Sequence, residues 1–223
     1  PRNLSGVLPI VQTPFSADDT IDTAALKRSV DWAFSVGAHG VGTGMVSETV
    51  RLTAGERIQL ISAMIEASDG RGPVFAAVGA ESTHQALEFA RAAERAGCDA
   101  VMATPPMTLR LPASALRDYY IRLAEGISIP VIVQDASGYV GQPIPVETQA
   151  ELFHRFGPDK VLFKPEANPT GPLLSALRDA TGGKARIFEG SGGIHLIDSH
   201  QRGLAGTMPG MDLLDGVVAL WHA

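Results

Sequence analysis

The chain has a single cysteine, few lysines and few aromatic residues, and each shortage narrows what it can be. Cys98 alone excludes an internal disulfide and fits a reducing compartment. Lysine occurs only at Lys27, Lys160, Lys164 and Lys184, among 18 Lys and Arg in total, and no basic run or stripe stands out. With a formal net charge of −6, nucleic acid and anionic membrane are poor partners. No apolar run approaches the roughly 18 residues of a membrane span. No charged-then-apolar leader precedes Pro1, so the expectation is a cytoplasmic protein. The six histidines are scattered without zinc-ligand spacing, and no Gly-x-Ser-x-Gly elbow occurs, so neither a metal site nor a serine hydrolase is expected. No other cofactor is expected either. Gly40-Val-Gly-Thr-Gly44 resembles a dinucleotide loop, but Met45 stands where the third glycine belongs.

What is present is a globular composition. Apolar residues make up 45% and charged residues 19%, which rules out a disordered chain or a coiled coil. At 223 residues a single domain spanning 1–223 is expected. Short apolar, β-branched runs alternate with longer helical patterns. The strand candidates are Val7–Phe15, Gly40–Gly44, Val74–Gly79, Ala100–Thr104, Val131–Gln134, Val161–Lys164, Arg186–Glu189 and Gly206–Met208. Most are continuously apolar, as parallel strands buried on both faces are. Thr53 with Glu56 and Ser82 with Gln85 have capping-box spacing. Gly37, Gly97 and Gly203 each stand at a helix end just before a strand. Eight strand–helix units, about 28 residues each, predict a closed (β/α)8 TIM barrel, with an open doubly wound sheet as the alternative. Met45, Met102, Met107 and Met208 are expected to line or fill the core, and Trp32 and Trp221 to pack on helix faces.

Active sites of such barrels lie at the C-terminal ends of the strands. Those positions carry Gln12, Thr13, Ser47, Glu48, Thr104, Gln134, Asp135, Lys164, Glu166, Glu189, Ser191 and Met208. Lys164 alone of the lysines follows directly on an apolar strand, Val161-Leu162-Phe163. Burial there disfavours an ammonium and makes a neutral amine available, which attacks a carbonyl to form a Schiff base. The competing reading is a lysine simply paired with Glu166. Gly190-Ser-Gly-Gly193 after the seventh strand is either a phosphate cradle or a tight turn.

The residues carrying this reading resemble a known family. Gly6-Val-Leu-Pro-Ile-Val-Gln-Thr-Pro-Phe15, Ser47-Glu48 before Leu52-Thr-x-x-Glu56, Pro130-Val-Ile-Val and Phe163-Lys-Pro-Glu166 are similar to the dihydrodipicolinate synthase / N-acetylneuraminate lyase family. The resemblance implies a class I aldolase barrel in which Lys164 forms an imine with a 2-oxo acid. It also implies a homo-oligomer, a tetramer in the family, and a helical C-terminal extension, which is expected to be absent here because the sequence stops within Leu213–Ala223. There are departures. The family's Gly-Thr-Thr-Gly-Glu reads Gly44-Met-Val-Ser-Glu48, its strand-five tyrosine aligns with Gln134, and its second tyrosine falls at Pro106 or Met107. With those relay groups absent, the Val133-Gln134-Asp135-Ala136 and Ser47-Glu48 pairings resemble the branch that dehydrates 2-keto-3-deoxy sugar acids.

The resulting expectation is a Schiff-base lyase, with a small-molecule 2-oxo acid as partner. Glu48 or a water would remove the C3 proton. Ser47, the backbone of Val46 and Ser47, and Ser191 beside Gly190 would hold the carboxylate, while Gln134, Asp135 and Glu166 would meet the rest of the substrate. Retro-aldol cleavage from the same imine stays open. So do a phosphosugar isomerase with Gly190–Gly193 as its phosphate cup and Glu166 as base, and a non-catalytic ligand-binding member of the family.

Overall fold

Among the described residues, eight parallel strands and eight helices alternate. The computed structural model describes residues 2–223. The strands are β1 (Gly6–Val7), β2 (Val41–Gly42), β3 (Val74–Ala77), β4 (Ala100–Ala103), β5 (Val131–Asp135), β6 (Val161–Pro165), β7 (Phe188–Glu189) and β8 (Gly206–Thr207). The helices are α1 (Thr23–Ser35), α2 (Ala54–Ser68), α3 (Thr83–Ala96), α4 (Ala113–Glu125), α5 (Val146–Phe156), α6 (Thr170–Ala180), α7 (Leu196–Gln201) and α8 (Leu214–His222). Strands β2 to β6 pair in sequence order, and β8 pairs with both β1 and β7. Parallel bridges Ile10–Gly42 and Phe163–Ile187 join these two sheets at both seams. The eight strands therefore run in order around a closed barrel, and the open doubly wound sheet is excluded.

Strand β1 is much shorter than the apolar run Val7–Phe15 suggests. Pro9 and Pro14 carry no N–H, so the run cannot continue a ladder, and it proceeds as single contacts such as Ile10 N–H to the Pro209 carbonyl at 2.7 Å. At the helix starts, Thr53 and Glu56 make the full reciprocal capping box. The Ser82 hydroxyl accepts from the Gln85 N–H without a return bond. Gly37, Gly97 and Gly203 all end helices with positive φ, at +98°, +95° and +91°.

Strand alternation separates two apolar layers. Leu8, Ile10, Met102, Ile132, Leu162 and Phe188 fill the barrel interior, closed at the C-terminal side by Met208. The opposite faces, with Val131, Val133, Val161 and Phe163, pack outward against Leu26, Leu60, Phe89, Leu123 and Leu152 of the helices. Trp221 packs against this outer layer, whereas Trp32 is 41% exposed and is a surface residue of α1. Among the described residues no helix is long and apolar enough to cross a membrane.

Candidate active site

The inner layer ends one residue short of the barrel mouth, and a cavity of about 350 Å³ opens above it. Its floor and walls include Ile10, Met208, Lys164, Glu166, Gln134 and Tyr139. Alternation along the strands explains which side chains arrive there. In β6, Leu162 points inward, so Lys164 and the following Glu166 do as well, and Phe163 packs on the helix side. In β5, Ile132 and Gln134 share the inner face, which turns Asp135 outward.

Lys164 and Glu166 are 4% exposed, and Lys164 Nζ lies 3.3 Å from Glu166 Oε1. The amine thus has a carboxylate partner as well as the apolar floor. The Glu166 carboxylate also accepts from Gln134 Nε2 at 2.7 Å and from the Ser191 N–H at 3.0 Å. Burial by itself would raise the Glu166 pKa. Burial is the largest single effect, but the Lys164 charge, the Tyr139 phenol, the Gln134 amide and the Ser191 N–H together outweigh it, and the carboxyl sits below its usual range. Gly190 makes this seat: a Cβ there would fall 2.2 Å from Glu166 Oε1.

The other lysines lie elsewhere. Lys27 is on the surface, 2.8 Å from Asp31, and Lys184 is exposed in the loop before β7. Lys160 is neither on the surface nor in the cavity. It stands half-buried at the opposite end of β6, donating to the carbonyls of Ile127 and Ile129 at 2.6 and 2.8 Å.

Several expected site residues have other duties. Ser47 is fully buried. Its hydroxyl donates to the Val11 carbonyl at 2.5 Å and accepts from the Gly44 N–H at 3.0 Å, while its own N–H bonds the Gly44 carbonyl. It clasps the β2–α2 loop and has no group left for a substrate carboxylate. Glu48, expected as a base, adopts φ of +60° and turns to a separate surface depression, where it pairs with Arg51 at 3.0 Å. Asp135, expected to meet substrate hydroxyls, is 2% exposed and spends both oxygens on the Ser137 and Ile144 N–H groups, at 3.0 and 2.8 Å. In the Gly190–Gly193 turn the Ser191 N–H is taken by Glu166, whose charge disfavours a second anion beside it.

Val46 does line the cavity, together with Met45. Both stand at the start of the 3-10 turn Met45–Ser47, so their N–H groups have no carbonyl partner within it. Gln134, Glu166 and Ser191 also lie in the wall as anticipated. Tyr139 and Met45 were not singled out as site residues by the sequence. The only signal for Tyr139 was an aromatic residue in the Ala136-Ser-Gly-Tyr loop at the mouth of the barrel. Glu189, at the end of β7, faces the helix layer. There Thr207 Oγ1 donates to Oε2 at 2.6 Å and Oε1 has no partner.

Fold and site together define a closed (β/α)8 barrel with a buried lysine–carboxylate pair in a cavity at the C-terminal ends of its strands. The chain belongs to the dihydrodipicolinate synthetase family, whose profile matches residues 3–167. It is 30% identical over 185 residues to a 4-hydroxy-tetrahydrodipicolinate synthase of Rhizobium meliloti, covering 82% of this chain and 58% of that protein. It is 30% identical over 154 residues to a probable 2-dehydro-3-deoxy-D-pentonate aldolase, YjhH, of Escherichia coli, covering 68% of this chain and 50% of that protein. The chain therefore spans between half and three fifths of the length of these curated relatives. A dihydrodipicolinate synthase from Acinetobacter baumannii, solved with pyruvate, superposes with a TM-score of 0.87 at 25% identity, covering 98% of this chain and 75% of that one.

Proposed function

We propose that the chain is a lyase that binds a 2-keto-3-deoxy sugar acid as a Schiff base on Lys164. The observation that carries this reading is the position of Lys164, buried in the mouth cavity beside a carboxylate while Lys27, Lys160 and Lys184 lie outside it. An imine makes the substrate's C3 protons acidic and stores the electron pair of whichever bond then breaks. Loss of a C3 proton turns the imine into an enamine that expels the C4 hydroxyl, which is dehydration; in aldol cleavage the protonated imine itself accepts the C3–C4 bonding pair as the C4 hydroxyl loses its proton, leaving the pyruvate enamine and an aldehyde. The family's relatives named as a synthase solved with pyruvate and as a 2-dehydro-3-deoxy-pentonate aldolase support a 2-oxo acid in this place.

The residues suit such a ligand. The Met45 and Val46 N–H groups receive the carboxylate at one wall of the cavity. Lys164 and Glu166 lie at the carbonyl. Gln134 gives its Nε2 to Glu166, which leaves its carbonyl oxygen to accept from a hydroxyl of the substrate's tail. The apolar floor of Ile10 and Met208 keeps water from the imine. A phosphorylated sugar fits poorly, because the mouth supplies no basic group other than Lys164 among its lining residues.

Incubation with a 2-keto-3-deoxypentonate tests the substrate. Release of pyruvate, read by a coupled reductase, shows cleavage, and a product lighter by one water shows dehydration. Pyruvate trapping on Lys164 without either product would retain the imine and overturn the sugar-acid assignment.

A further inference from the structure

With Glu48 turned away to Arg51 and both Asp135 oxygens spent on backbone N–H groups, Glu166 is the one carboxylate among the described residues that line the cavity. The chain holds it at both its backbone and its side chain. Its N–H donates to the Asp135 carbonyl at 2.7 Å, and its carbonyl accepts from the Gly138 N–H at 3.0 Å. The Ser191 N–H holds Oε1 at 3.0 Å, and Gln134 Nε2 holds Oε2 at 2.7 Å. A Cβ on Gly138 would meet the Glu166 carbonyl oxygen at 2.3 Å, and one on Gly190 would meet Oε1 at 2.2 Å, so both glycines bring backbone close around the residue. A carboxylate offers about four acceptor sites. Ser191, Gln134 and Lys164 account for three of them, which leaves one on Oε2.

Once Lys164 carries an imine, C3 of the substrate is two bonds from Nζ. Glu166 Oε1 lies 3.3 Å from that nitrogen, so C3 can come within the roughly 3–3.5 Å of a reacting pair. We infer that Glu166 is the base that takes the C3 proton of this imine. The inference rests on the Schiff-base reading of Lys164.

The charges favour this transfer when it is needed. Burial pushes the Glu166 carboxyl up, and the positive charge on Lys164 is the strongest of the contacts that hold it down. A protonated imine keeps that charge, so the carboxylate stays ionised and able to accept. As the C3 proton leaves, the C–H pair becomes the C2=C3 bond, the C=N pair returns to nitrogen, and the positive charge is gone. Burial then favours the neutral acid, which keeps the proton. In dehydration the nitrogen pair closes C=N again, the C2=C3 pair becomes the C3=C4 bond, and the C4 hydroxyl leaves as water with the proton from Glu166. In cleavage Glu166 takes the C4 hydroxyl proton and gives it to C3 of the pyruvate enamine. Either way the carboxylate ends as it began.

Pyruvate is the probe, because its methyl carbon is C3 of the imine. Protein and pyruvate are mixed in heavy water and the loss of methyl protons is followed by proton NMR. A parallel sample is quenched with borohydride and the Lys164 peptide is read by mass spectrometry. The wild type should exchange and trap. Glu166→Gln keeps the size of the side chain and an oxygen for the Ser191 N–H, and it removes the charge that stabilises the Lys164 ammonium, so it should still form the adduct. Its exchange should fall about 10²–10⁴-fold, a split that a merely structural role would not produce. Glu166→Asp, with its carboxylate drawn back by one methylene, should also trap and should exchange at an intermediate rate. Exchange at the wild-type rate in Glu166→Gln, or trapping without exchange in the wild type, overturns the role of Glu166. So does equal loss of trapping and exchange in both variants, which would make Glu166 a support for Lys164 alone. Absence of trapping in the wild type overturns the Schiff-base reading and the inference with it.

Discussion

Glu189 combines burial with an incomplete set of hydrogen bonds. Its carboxyl is buried against the helix layer with one oxygen held by Thr207 and the other unpartnered, and burial, only partly offset by the Thr207 bond, pushes its pKa up to about 7. The native state therefore keeps a proton that the unfolded chain, with a carboxyl near 4.5, releases. The stability this proton confers is complete below the unfolded value and is lost as pH rises through the native one. Between about pH 5 and pH 8 the loss should be on the order of 2–3 kcal/mol from this group. Urea midpoints at the two pH values should show it. Glu189→Gln should flatten that part of the profile and make the protein more stable than wild type at pH 8. An unchanged slope in the variant would assign the pH dependence to other groups.

Lys164 and Glu166 were legible in the sequence because a lone lysine at the end of an apolar strand has few explanations. Ser47 and Asp135 were misread at the same scale, for one physical reason. Both stand at loop positions where a short polar side chain bonds nearby backbone, and sequence shows the residue without showing which way it turns. Alternation could have corrected Asp135, since Gln134 and Asp135 cannot both face the cavity of one strand.

At the scale of the element, the β5–α5 loop depends on Asp135. Replacing its carboxylate with an amide in Asp135→Asn leaves one of the two N–H groups facing another donor. It should cost about 1–3 kcal/mol. Because the loop carries Tyr139, the variant should also turn over more slowly while still trapping a 2-oxo acid on Lys164. A fall in melting temperature with unchanged turnover would separate the loop's anchoring from the chemistry. The start of α2 provides a contrasting case. Thr53→Ala removes the hydroxyl that caps the Glu56 N–H, far from the cavity, and should cost about 0.5–2 kcal/mol with no effect on activity. Thermal melts and a turnover assay on the same samples would check both halves. These caps and glycine helix ends were readable because their spacing is local. The length of β1 was not, because its apolar run hides two prolines that cannot donate to a ladder.

At the scale of the whole molecule, the order of units is what the chemistry needs. Closure by the Ile10–Gly42 and Phe163–Ile187 bridges brings the ends of β1, β5, β6 and β8 around one cavity, so residues more than a hundred positions apart meet there. The eight-fold alternation made that convergence predictable. The contents of the cavity were less so, because segments outside the strands supply most of its wall, and loop conformation depends on contacts such as Gly138 with Glu166 that no local pattern encodes.

The central claim is that Lys164 is the residue that bonds substrate, and reductive trapping tests it most directly. Protein mixed with pyruvate or a 2-keto-3-deoxy acid and borohydride is digested, and the modified lysine is located by peptide mapping. The account predicts a single adduct on Lys164, none in Lys164→Ala, and none in Lys164→Arg, whose guanidinium stays protonated and cannot attack a carbonyl. An adduct on Lys27, Lys160 or Lys184, or turnover of the sugar acid with no adduct at all, would contradict it.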